Sequence, residues 1–244
     1  VLILSAVIVF LSVFLSGISM LFVRLGKLPL KLLLAFSGSF LLAVCLLHLI
    51  PEVYSEGGMR AGIFMLGGFF VQLLLEFFTE GVEHGHTHVC EHDHPKGLLP
   101  YGMIIGVCLH SFLEGLPLAG SEQHGHVHSS QQLLTGIVLH NIPIAVTFMT
   151  MLIHLQVKRV TALLLLLLFA LMTPLGMLCS VLVGEQFHDR IDLYLNAALA
   201  AVVGIFLHIS TTILFESSEN HRFNLLKFGI ISLGAGVAIA VSFI

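Results

Sequence analysis

The stretch YGMIIGVCLHSFLEGLPLAG, Tyr101 to Gly120, is apolar almost throughout yet carries His110 and Glu114 near its centre. A run of this length is what a helix needs to cross a hydrocarbon core about 30 Å thick, so it reads as a transmembrane span. On that helix a spacing of four residues places the imidazole and the carboxylate on one face, one turn apart. An ionisable residue at mid-bilayer costs about 2.5 to 3.5 kcal/mol on translocon scales and needs a counterion or a bound ion beside it. A second apolar run, Leu133 to Leu155, carries His140 at comparable depth. Two imidazoles and a carboxylate from adjacent spans form a suitable ligand set for zinc or a similar divalent cation.

The rest of the chain is built the same way. It is 57% hydrophobic and 10% charged, with a mean hydropathy of +1.03, too little charge to cover a soluble surface. Apolar runs near the spanning length predict eight transmembrane helices in an all-α membrane protein. They lie at about Val1 to Val23, Leu32 to Ile50, Ala61 to Phe78, Leu98 to Gly120, Leu133 to Leu155, Ala162 to Gly184, Leu193 to Phe215 and Leu225 to Ile244. No connection exceeds about twenty residues, so residues 1–244 read as a single transmembrane domain. The net charge of -4 is scattered and forms no basic stripe, so no nucleic-acid partner is expected. Cys45, Cys108 and Cys179 fall inside spans and Cys90 in a polar loop, so no disulfide framework is indicated.

Charge fixes an orientation. Arg24, Lys27, Lys31, Lys96, Lys158, Arg159, Arg222 and Lys227 fall in or beside the odd-numbered connections, and Arg60 and Arg190 on the other side. By the positive-inside rule the odd connections are cytoplasmic and both termini face outward. The chain starts at Val1, so an upstream start or processed segment is expected, and Val1 to Val23 lacks the flanks of a signal peptide.

Two loops are rich in histidine. The cytoplasmic one, at about 79–97, holds His84, His86, His88, His92 and His94 among Glu83, Cys90, Glu91 and Asp93. The outer one, at about 121–130, holds His124, His126 and His128. Such alternation collects borderline metals without fixing a rigid geometry. Helix breakers gather in the spans that carry the ionisable groups: Gly115 and Pro117 in the fourth, Pro143 in the fifth, Pro174 and Gly176 in the sixth. Breakers inside a bilayer are tolerated where freed backbone groups face protein or a wet cavity, which points to a central pathway. Gly234 and Gly236 in the last span predict close helix packing.

Further polar groups have less specific readings. His48 and Glu52 share i to i+4 spacing at the outer end of span two, as an entrance site or as an interfacial pair. His208 and Asn196 lie in span seven, with Glu216 at its cytoplasmic end, and a lone histidine on an apolar helix is more often a packing residue. Glu76 and Glu80 close span three, as an exit station or a solvated end.

The segment Leu109-His-Ser-Phe-Leu-Glu-Gly-Leu-Pro117 resembles the fourth span of the ZIP (Zrt/Irt-like) family of divalent metal transporters, and Leu139-His-Asn-Ile-Pro143 resembles the fifth. The likeness extends to Leu46-Leu-His-Leu-Ile-Pro-Glu52 in span two and Thr173-Pro-Leu-Gly176 in span six, and so covers essentially the whole chain. It implies eight helices with spans one to three and six to eight as inverted repeats around spans four and five. It also implies transport of zinc, with iron, manganese or cadmium as further candidates, into the cytoplasm across a plasma or inner membrane. Metal would be held by His110, Glu114 and His140, with Ser111, Asn141 or water completing the shell, and His48, Glu52, Thr173 and His208 as entrance or pathway residues. Zinc is then substrate, with no organic cofactor; the partners are the ion and the lipid bilayer, with a homodimer left open.

The chain also departs from the family pattern. Ile144 stands where many members carry a glutamate, Thr173 where span six has an acid, and Ser111 where asparagine is common, which argues for one metal site where others have two. A membrane metal sensor without flux is the alternative function. An intramembrane metalloenzyme is disfavoured, because His-Glu-x-x-His is absent and no further acid stands as general base.

Overall fold

A computed structural model describes residues 2–23, 25–79, 101–123, 127–186, 191–216 and 225–241. They form α1 (Leu2–Ser19), α2 (Lys27–Val44), a π-helical turn (Cys45–Leu49), α3 (Ile50–Gly57), α4 (Met59–Thr79), α5 (Tyr101–Gln123), α6 (Val127–His154), α7 (Arg159–Gln186), α8 (Ile191–Glu216) and α9 (Leu225–Val241). No strand occurs among the described residues. Each expected span has its helix, α2, the π turn and α3 together making the second. Seven of these segments are long and apolar enough to cross a bilayer, and α9, with 17 described residues, is the shorter eighth. The chain is a multi-pass integral membrane protein.

The second span departs from its expected boundary, running on past Ile50 to Gly57. Pro51 has no N–H, and its ring blocks ordinary bonding to the preceding turn. The π turn accommodates it by inserting one extra residue into the ladder, and the Ile50 N–H bonds to the Cys45 carbonyl five residues back. The helix then stops at Gly58, whose φ of +53° suits glycine and whose N–H bonds to the Tyr54 carbonyl at 3.0 Å.

Burial sorts the helices into centre and rim. Within their most apolar windows α6 is 72% buried and α5 and α8 are each 61% buried, whereas α1 and α4 are 22% buried. Helices α5, α6 and α8 are therefore central. Large apolar side chains cover the outer faces, for example Ile63, Phe70 and Phe77 of α4 and Leu164, Leu168 and Leu171 of α7, as a lipid-facing surface requires. Inside, Leu41, Ile137, Phe148, Leu152, Leu166 and Phe169 pack into one core, with the Phe148 and Phe169 ring centroids 5.5 Å apart.

Lipid tails are as apolar as leucine, so helices associate through close packing and not through apolar burial. Small residues supply it here. A methyl group on Gly115 of α5 would meet the Thr173 carbonyl of α7, and one on Gly176 of α7 would meet the Phe112 carbonyl of α5. The α4–α8 contact repeats the device with Gly68 against Ala201 and Gly204 against Met65. In α9, Gly234 packs on Phe36 and Ser39 of α2 as expected, but Gly236 has open space around it. The α5–α7 seam packs beside the helix turn that carries Glu114.

Candidate metal centre

The three ionisable groups expected to meet do so. His110 and Glu114 project from one face of α5, His140 comes from α6, and all three are fully buried. One ligand atom from each lies within 4.8 Å of the others. His110 Nε2 and Glu114 Oε1 are 3.0 Å apart. The two imidazole rings stand nearly perpendicular, at 82°, with centroids 5.9 Å apart.

These dimensions suit a small divalent ion. Ligands about 2.1 Å from zinc at the tetrahedral angle are roughly 3.4 Å from one another. The His110–Glu114 pair is already that close, and ring rotation would take up at most about 1.4 Å in the widest pair. The donor set of two imidazole nitrogens and a carboxylate oxygen is one that zinc accepts, with the fourth position left to another oxygen.

Asn141, beside His140 on α6, buttresses the carboxylate. Its Nδ2 donates to Glu114 Oε2 at 3.0 Å, so the two helices are linked through the candidate ligand itself. The other amide atom, Asn141 Oδ1, is buried with no hydrogen-bond partner among the described residues, and so is Ser111 Oγ. Buried acceptors without a bond are uncommon and mark places where water or an ion completes the shell. Pro143 removes a backbone donor from α6 just beyond His140, and the Pro143 carbonyl accepts from Thr147 Oγ1 at 2.8 Å. Ile144, one turn after His140, is fully buried and apolar.

The structure adds a residue that the sequence reading did not single out. Gln72 of α4 is fully buried, and its Oε1 lies 3.2 Å from His110 Nδ1, on the ring edge away from Glu114. The signal was present in the sequence, as a lone amide in the apolar run from Ala61 to Phe78.

The expected pathway residues are dispersed. His208 of α8 is nearly buried, pairs with Glu76 of α4 at 3.4 Å, and sits edge-on to Phe69. Two groups read separately are thus one intramembrane pair. His48 lies in the π turn and Glu52 in α3, both half-buried and outside the His110–Glu114–His140 cluster. Thr173 is buried at the α5–α7 seam, where its carbonyl faces Gly115. Asn196 ties α8 to α3 through Glu56 Oε2 at 3.2 Å. The loop histidines His84, His86, His88, His92, His94, His124 and His126 lie outside the described residues, as do Cys90 and the side chain of His128. The described cysteines Cys45, Cys108 and Cys179 are free thiols.

A family model described as ZIP Zinc transporter matches residues 1–101 and 79–242, which together span nearly the whole chain. The chain is 24% identical over 267 aligned positions to zinc transporter ZIP1 of Danio rerio, covering 91% of this chain and 87% of that protein. Matches that run from the first helix to the last, across the spans that supply the buried His–Glu–His cluster, leave one assignment: the chain belongs to the ZIP zinc transporter family.

Proposed function

We propose that this protein carries zinc across the membrane into the cytoplasm, and that His110, Glu114 and His140 hold the ion midway. The observation that carries this reading is the fully buried cluster on the two most enclosed neighbouring spans of a ZIP-family chain. Residues 1–244 act as one transmembrane transport domain. The outer histidine loop raises the local metal concentration, and the ion exchanges waters for imidazole and carboxylate, with Ser111, Asn141 or water completing the shell. Movement of one helix group against the other then opens the cytoplasmic side, where the second histidine loop receives the ion. Iron, manganese and cadmium are further candidates for the same donors, because raw affinity does not by itself set which metal such a site takes.

An inverted repeat provides the moving parts. Exchanging spans one to three with six to eight, and four with five, converts the α5–α7 contact into α6–α1 and the α4–α8 contact into α9–α2. All four pairs pack against each other. The Lys and Arg asymmetry supports an orientation with both termini outside, and the inward direction follows from the resemblance to the ZIP family.

Purified protein in vesicles enclosing a zinc-sensitive dye tests the reading. Zinc-dependent signal that disappears with His110→Ala, Glu114→Ala and His140→Ala is expected. Zinc binding without flux would replace transport with sensing.

A further inference from the structure

Gln72 does not belong to the cluster of ligands, yet it faces one of them. It lies on α4, a helix at the rim of the bundle, in a run whose polar side chains between Ala61 and Phe78 are Gln72 itself and Glu76 one turn on. A fully buried amide in such a place must bond to something, since no water is available in the hydrocarbon region. Its carbonyl oxygen lies 3.2 Å from His110 Nδ1. An amide oxygen only accepts, so the ring nitrogen facing it donates. Nδ1 therefore carries a proton, and Nε2 is the nitrogen left for the ion: it faces the cluster 3.0 Å from Glu114 Oε1, and a proton shared with that carboxylate in the metal-free protein leaves as metal binds.

We propose that Gln72 is a positioning residue for metal binding: its Oε1 holds the Nδ1 proton of His110 and so presents Nε2, unprotonated and correctly rotated, to the ion. This rests on the cluster being a metal site. Metal-binding histidines generally give their second N–H to an acceptor, which fixes tautomer and ring orientation. A neutral amide does this without adding a second negative charge beside Glu114. The bond also joins α4 to α5, so the ligand is held by a helix that contributes no ligand itself.

The test compares Gln72→Leu with Gln72→Glu in the full-length chain in detergent, with zinc as the probe. Leucine matches the volume and removes the acceptor; glutamate keeps an acceptor. Zinc affinity should fall about 10- to 100-fold with leucine, the usual effect of losing such a partner, and should remain within a few-fold of the parent with glutamate. A residue that merely packs would give the opposite order, because leucine suits an apolar span and a buried charge does not. In zinc-loaded protein labelled with 15N at histidine, His110 should carry its proton on Nδ1 and metal on Nε2. Leucine binding zinc as tightly as the parent while His110→Ala does not would overturn the role of Gln72 and leave the site intact. A proton on Nε2 of His110 would overturn it without any variant. Parent protein that binds zinc no better than His110→Ala would remove both the site and the role.

Discussion

Replacing Glu114 by alanine separates a ligand from a structural strut. In the metal-free protein the substitution has two opposing effects. Asn141 Nδ2 loses its acceptor at 3.0 Å, and a buried donor left without a partner costs about 1 to 3 kcal/mol. Removing a carboxylate from a fully buried position deep in a span relieves about 2.5 to 3.5 kcal/mol on the insertion scale. The terms partly cancel, so metal-free stability should change by between a loss of about 0.5 kcal/mol and a gain of about 2.5 kcal/mol. Zinc binding has no such compensation. At a hundredfold excess over its dissociation constant, zinc stabilises a one-site protein by about 2.7 kcal/mol. For a chain of this length that is a melting-temperature rise of roughly 5 to 10 °C. Melting the detergent-purified parent and Glu114→Ala with and without zinc should show similar metal-free transitions and a zinc-dependent rise in the parent alone. A variant that keeps the full rise, or one that loses many degrees before metal is added, would refute the reasoning.

Three further outcomes are expected. Gly176→Val should lower the metal-free melting temperature and abolish flux, because the added carbon meets the Phe112 backbone, which cannot rotate away; overpacking costs about 1 to 3 kcal/mol, and a parent-like melt would show that the α5–α7 seam is looser than described. Ile144→Glu should raise zinc stoichiometry from one to two per chain in calorimetry, since a carboxylate one turn from His140 can bridge a second ion, and an unchanged ratio would count against that site. Glu122→Cys should react with an impermeant thiol reagent from outside intact cells while His86→Cys does not, and reversed labelling would invert the proposed orientation.

Much of this architecture is legible in the chain because bilayers impose a strong code. An unbroken apolar run such as Tyr101 to Gly120 has few alternatives to a span, and His110, Glu114 and His140 stand out because charge there is costly. What escaped notice carries a weaker signal. Gln72 is uncharged, so it does not stand out as an intramembrane ionisable group, and its contact with His110 depends on α5 lying beside it. The His208–Glu76 pair joins two distant spans, so neither residue reveals its partner in sequence. Span two read as ending at Ile50, where its apolar run meets Pro51 and Glu52; the π turn from Cys45 to Leu49 that carries the helix past Pro51 is a tertiary accommodation. Ser111 and Asn141 were singled out by their neighbours in the motif, but that Asn141 grips Glu114 required coordinates.

The central claim is that one zinc ion rests between α5 and α6 on its way through. Anomalous diffraction at the zinc edge from zinc-soaked crystals of the unmodified protein tests it most directly. A single strong peak is expected within bonding distance, about 2.0 to 2.2 Å, of His110 Nε2, a Glu114 carboxylate oxygen and a His140 ring nitrogen. A peak elsewhere in the bundle with this cluster empty, or two peaks about 4 Å apart around it, would contradict the account.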